Sequence, residues 1–154
     1  MSDDRDDAFA VPFGAVRIAR RSNRYEQAVE FYRDVVRLPI VHIEETGVDG
    51  HGCAIFGLLG TSTTFELIPA RDTVPVDRHD QLVLYYPGAR ERDVVAARLA
   101  EHGHEAVEQY RYWSLNDAIT VLDPDGRELI LAPWVFGTEP PPMRRHSAQA
   151  PGPA

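Results

Sequence analysis

VRIARRSNRYEQAVEFYRDVVRLPIV, residues 16–41, passes from strand to helix and back to strand within one line. FGAVRIARR (13–21) has the alternation and β-branched content of a strand. Asn23 followed by Glu26 has the spacing of a helix-starting capping box. Tyr25, Ala28, Val29, Tyr32, Val35 and Val36 then fall on one helical face, and Pro39 ends the helix. Further strands are expected at about 39–45, 52–58 and 62–69, divided by the turn-rich GVDGHG and LLGTS. The order is βαβββ.

The second half repeats that order. QLVLYYP (81–87) reads as a strand, and RERDVVAARLAEHG (90–103) as a helix with Gly103 at its C-cap. Strands fit at 105–110, 117–123 and 127–132, and Asp123-Pro124-Asp125-Gly126 supplies a tight hairpin turn. Placing Arg17 over Gln81 gives an offset of 64, and the same offset carries Glu66 onto Ile130, again in a last strand. One offset fitting both ends of the module marks a duplication. The expected organisation is an acidic head (1–12), a first module (13–69), a linker (70–80), a second module (81–136) and a Pro-rich tail (137–154). The two modules share one folded domain, because a four-stranded sheet with a single helix leaves one face uncovered.

Composition narrows the function classes. Of the net charge of −8, the head MSDDRDD carries −3 and the tail from Thr138 carries +1, which leaves −6 for residues 8–137. That balance argues against nucleic acid, which selects a basic face. All sixteen basic residues are arginine. Cys53 is the single cysteine, which excludes an intrachain disulfide and a thiolate cluster; in HGCAIFG it reads as a small buried thiol. No apolar run has the roughly 20 residues of a membrane helix, and the acidic start does not read as a signal peptide. A cytoplasmic location is expected.

The first stretch, together with FELI (65–68) and YWSLNDAITVLDPDGRELIL (112–131), resembles the vicinal oxygen chelate superfamily of glyoxalase I, the bleomycin-resistance proteins and the extradiol dioxygenases. The nearest likeness is to a small bacterial branch with a V/L-R-I-A-R first strand and a YW-S…DPDG ending. The resemblance implies an α+β fold in which two βαβββ modules form a half-open, cup-shaped mixed β barrel with helices outside, within a homodimer. Metal-dependent members carry four ligands on the first and last strands of each module. Those places correspond here to Arg17, Glu66, Gln81 and Ile130. Guanidinium stays protonated and has no acceptor, and isoleucine has no donor atom, so neither serves a cation. Glu128 shares the strand parity of Ile130 but lies roughly 6.6 Å further along, at the turn end where solvent is the expected neighbour. No metal and no cofactor are expected.

In place of a metal, Arg17 and Glu66 are expected to form an ion pair at the base of the cup, since either alone would be an uncompensated buried charge. The pair either fixes the barrel base or acts chemically, Arg17 anchoring an anionic group and Glu66 accepting a proton. Gln81, Tyr85, Tyr112, Trp113, Phe56, Ile130 and Arg21 are the expected ligand contacts. Trp113 is placed in a loop-like run, YRYWSLND, closing the mouth. Trp134 and Phe136 pack on the domain or across a dimer. The histidines lack ligand spacing and read as surface residues, with His51 or His79 beside Glu66 as an unconventional metal alternative. The leading expectation is a metal-independent small-molecule-binding protein for a hydrophobic or aromatic ligand. The rival is an isomerase, lyase or cyclase using Glu66 and Arg17, and a metal-dependent glyoxalase or dioxygenase stands third.

Overall fold

The computed structural model describes residues 13–45 and 52–135. The head, the Pro-rich tail, most of the GVDGHG turn, His51, Phe136 and His146 lie outside the described residues. The chain divides into two compact units, Met1–Val74 and Pro75–Ala154.

In the first unit, β1 (Val16–Ser22) leads to helix α1 (Tyr25–Glu30), which runs directly into a π-helical turn over Phe31–Val35. Strands β2 (Ile40–Glu44), β3 (Cys53–Gly57) and β4 (Thr63–Pro69) follow. The sheet order is β1-β4-β3-β2, with β1 parallel to β4 and the other pairs antiparallel. The wide turn is visible in the hydrogen bond from Val36 N–H to the Phe31 carbonyl, 2.9 Å. It buries two adjacent pairs, Phe31 with Tyr32 and Val35 with Val36, on one side. Arg37 then takes a positive φ of 67°, and Pro39 prevents further helix. Tyr32, fully buried, meets Phe65 edge-on at 5.0 Å and Phe56 at 6.0 Å. The helix begins one residue later than the capping box implies, with Arg24 at the N-cap and no side-chain cap bond there. Asn23 instead exchanges two hydrogen bonds with the Val74 backbone, at 2.9 and 2.8 Å, and so ties the start of the helix to the end of the unit.

In the second unit, β5 (Leu82–Tyr85), α2 (Ala89–Glu101), a short α3 (Arg111–Leu115), β6 (Ile119–Leu122) and β7 (Glu128–Ala132) follow in order, and the sheet order is β5-β7-β6. Helix α2 ends as expected at Gly103. Its φ is +84°, and the bonds from Gly103 N–H to Ala100 and from His104 N–H to Leu99 close a Schellman cap. The DPDG turn is held by Asp123, whose carboxylate accepts from the Asp125 and Arg127 backbone N–H groups, with Gly126 at φ +92°.

Two expectations need correction. Residues 105–110 are not a strand. They touch β6 through one backbone bond, Val107 N–H to the Thr120 carbonyl, and the Gln109 side chain replaces the rest of the ladder by donating to the Ala118 carbonyl and accepting from the Thr120 hydroxyl. YRYWSLND is not a loop, because its centre forms α3.

The duplication leaves a mark in the registers. Partners in the parallel pair β1/β4 stand 47 positions apart (Val16 with Thr63), and so do those in β5/β7 (Leu82 with Leu129).

Candidate functional site

Strand parity sorts the first unit's sheet into two faces. Ala54, Phe56, Phe65 and Leu67 are buried together with Tyr32. Cys53, Ile55, Thr64, Glu66 and Arg17 alternate with them and share the opposite face. Phe56 therefore leaves the ligand set. It is fully buried, stacked with Phe65 at 6.2 Å, and presents nothing to a small molecule.

On the opposite face, Arg17 Nη1 lies 3.6 Å from Glu66 Oε2. Ala19, not Arg17, is the cross-strand neighbour of Glu66, so the guanidinium reaches along the sheet to meet it. The pair is not jointly buried, as the sequence reading had it: the Glu66 side chain is 14% exposed and that of Arg17 is 56%. Arg21 is also exposed. Beside the pair, burial pushes the Cys53 thiol pKa up, the Glu66 and Glu44 carboxylates push it further, and Arg17 pulls it back.

The second unit holds a polar cluster that sequence reading missed. Glu128 is 2% exposed. Its Oε1 accepts from Arg78 Nε at 2.9 Å and lies 3.5 Å from His79 Nδ1, while its Oε2 accepts from Gln81 Nε2 at 2.6 Å. The Glu128 N–H donates to the Arg78 carbonyl, which folds the linker residues over the carboxylate. Arg78 also donates to the Glu108 carbonyl, and the His79 ring rests on Tyr110 with centroids 4.6 Å apart. Glu128 therefore does not face solvent, because residues 78 and 79 come back over the turn end. Extended by one step, the β5/β7 register sets Gln81 opposite Glu128, beyond Leu82 and Leu129. A carboxylate only accepts, so the Gln81 amide nitrogen must face it, leaving the Gln81 carbonyl oxygen as an acceptor.

Along the same face of β7, Ile130 is fully buried in a cluster with Ala118 and Ala132, and Val83 and Trp113 pack on it. Ile130 is thus the floor beneath Trp113 rather than a surface that meets a ligand. Tyr112 stands edge-on to Trp113 at 4.8 Å. Tyr85 and Tyr112 are 43% and 42% exposed, and the Tyr85 pKa is raised by burial and then by Tyr112. The arrangement is an aromatic surface on a hydrocarbon floor, with hydrogen-bonding groups at one end of the strand. Trp134 is partly buried at the end of the described chain.

The inherited metal positions do not fit a divalent ion. Arg17 is a cation set against Glu66, Gln81 is engaged by Glu128, and position 130 is buried hydrocarbon.

The profile of the YycE-like C-terminal domain family matches residues 80–132. The YycE protein of Bacillus subtilis is 30% identical over 121 residues, covering 75% of this chain and 84% of that protein. Its crystal structure, described as a glyoxalase/fosfomycin-resistance type of unknown function, superposes with a TM-score of 0.70 at 26% identity over 80% of this chain and 93% of that one. TnmS3, an antibiotic-binding protein from Streptomyces sp. CB03234, gives 0.62 at 22% identity over 80% and 97%. A manganese-bound fosfomycin resistance protein, FosX from Listeria monocytogenes, gives 0.64 at 12% identity over 82% and 96%.

The fold is that of the vicinal oxygen chelate superfamily, in an α+β form with two open sheets. Within it, the chain belongs to the YycE-like family, a small bacterial branch of the glyoxalase and antibiotic-resistance type.

Proposed function

We propose that this chain binds a small organic molecule with flat or aromatic parts on the Ile130 face of the second unit, without a metal at the inherited positions. The observation that carries the reading is Trp113, half-buried on Ile130, Val83, Ala118 and Ala132 with the exposed rings of Tyr85 and Tyr112 available to a ligand. The Gln81 carbonyl, oriented through Glu128, adds an acceptor for a hydroxyl or N–H group on the ligand. An antibiotic-binding structural neighbour is consistent with the reading but does not carry it. The reading includes a cytoplasmic homodimer; sedimentation analysis would check the association.

The test is a panel of polycyclic aromatic antibiotics and anilinonaphthalene sulfonate, titrated against the full chain and followed by tryptophan fluorescence. Saturable binding without chemical change is expected, weakened by Trp113→Ala and by Tyr85→Ala. Binding indifferent to both substitutions would overturn the site.

A second reading rests on the uneven exposure of Arg17 and Glu66. An exposed guanidinium can receive an anionic group while the enclosed carboxylate accepts a proton, as an isomerase, lyase or cyclase would need. Glu66→Gln would then abolish turnover and spare affinity, whereas a pure binder has no turnover to lose.

A further inference from the structure

We infer that the first unit carries a binding site for a zinc-class divalent cation, made by His42, Glu44 and Cys53 and separate from the positions inherited from the superfamily. His42 and Glu44 stand two residues apart on β2 and so share a face, and Cys53 is the cross-strand partner of Glu44 on β3. The three ligand atoms, an imidazole nitrogen, a carboxylate oxygen and a thiol sulfur, all lie within 4.8 Å of one another. His42 Nε2 and Glu44 Oε2 are 3.9 Å apart.

Zinc bonds of about 2.0 Å to nitrogen or oxygen and about 2.3 Å to sulfur set tetrahedral ligand atoms roughly 3.3–3.6 Å apart. Closing the gap takes a contraction of under about 1.5 Å, within the rotamer range of two side chains that are half in solvent. The donors choose the ion. Sulfur with imidazole and a single carboxylate is a poor set for magnesium or calcium, which take oxygen, and a good one for zinc or cobalt. Three protein donors leave the fourth place for water. On binding, Cys53 gives its proton to solvent and ligates as the thiolate.

The histidines of the chain lack the paired spacing of a common zinc motif. The signal is His-x-Glu on a strand, with the cysteine facing it across the hairpin.

Cobalt titration of the full-length, metal-stripped chain tests the site. One equivalent of Co²⁺ should produce a thiolate-to-cobalt charge-transfer band and tetrahedral visible absorption, both displaced by zinc. Cys53→Ser should remove the charge-transfer band. His42→Ala should weaken zinc at least about tenfold. Trp113→Ala, in the other unit, should leave cobalt binding unchanged, so failure of this site and failure of the ligand surface are separable. Absence of the charge-transfer band in the wild type, or its survival in Cys53→Ser, would overturn the inference.

Discussion

Gln81, one residue before β5, donates to Glu128 at the start of β7 at 2.6 Å, which joins the entry to one strand to a buried carboxylate on its parallel neighbour. Glu128 also takes Arg78, so one buried anion orders the strand end, the linker and the amide. Glu128→Ala strands the Gln81 amide and loosens residues 78–80. A loss of about 2 kcal/mol is expected in urea denaturation, with Glu128→Gln costing less because one acceptor oxygen survives. Equal stability of the wild type and Glu128→Ala would contradict this role.

The Arg17–Glu66 pair is a different case. At 3.6 Å, with Arg17 more than half exposed, its coupling should be under about 1 kcal/mol in a double-mutant cycle and should fade with added salt. A coupling above about 2 kcal/mol, insensitive to salt, would mean a dry, buried pair.

Ile130 answers the question of the missing ligand. Restoring a carboxylate there by Ile130→Glu would place an unpaired acid in the cluster of Ala118, Ala132, Val83 and Trp113. The expected cost is on the order of 4 kcal/mol, with no rescue by manganese or zinc, whereas Ile130→Val should cost about 1 kcal/mol. Recovery of stability on adding metal to Ile130→Glu would show that the inherited site is intact after all.

Burial raises the Tyr86 pKa from its ordinary value of 10 to about 12, against a smaller opposing effect of Arg98. The unfolded chain therefore loses this proton first. The related stability is fully present below about pH 10 and is lost between about pH 10 and 12, with a ceiling of about 2–3 kcal/mol that the solvent-facing part of the ring reduces. Tyr86→Phe should flatten alkaline unfolding over that window. Some slope should persist, because burial raises Tyr25 and Tyr85 in the same direction.

The fold was legible in the sequence where periodicity and turn chemistry agree. The helix after Asn23, the glycine at 103, the DPDG turn and the offset of 64 needed no tertiary information, and the shared register separation of 47 reflects that offset. Residues 105–110 were misread because alternation alone does not supply a partner, and the Gln109 side chain takes over the ladder's work. Phe56 was read by its aromaticity, although its parity with Phe65 places it in the core. Glu128 was assigned to solvent because its partners Arg78 and His79 belong to a linker whose path no local pattern reveals. Charges and aromatics at a site are readable one by one; which of them meet depends on long-range closure.

The most direct test of the central claim is binding of an aromatic probe to the full chain in the presence of a strong chelator, with Trp113→Ala alongside. Saturable binding that persists in chelator and falls at least about tenfold in Trp113→Ala is the predicted result. Binding or turnover that appears only when a divalent metal is added, and that vanishes in Glu66→Gln while Trp113→Ala behaves as the wild type, would contradict it.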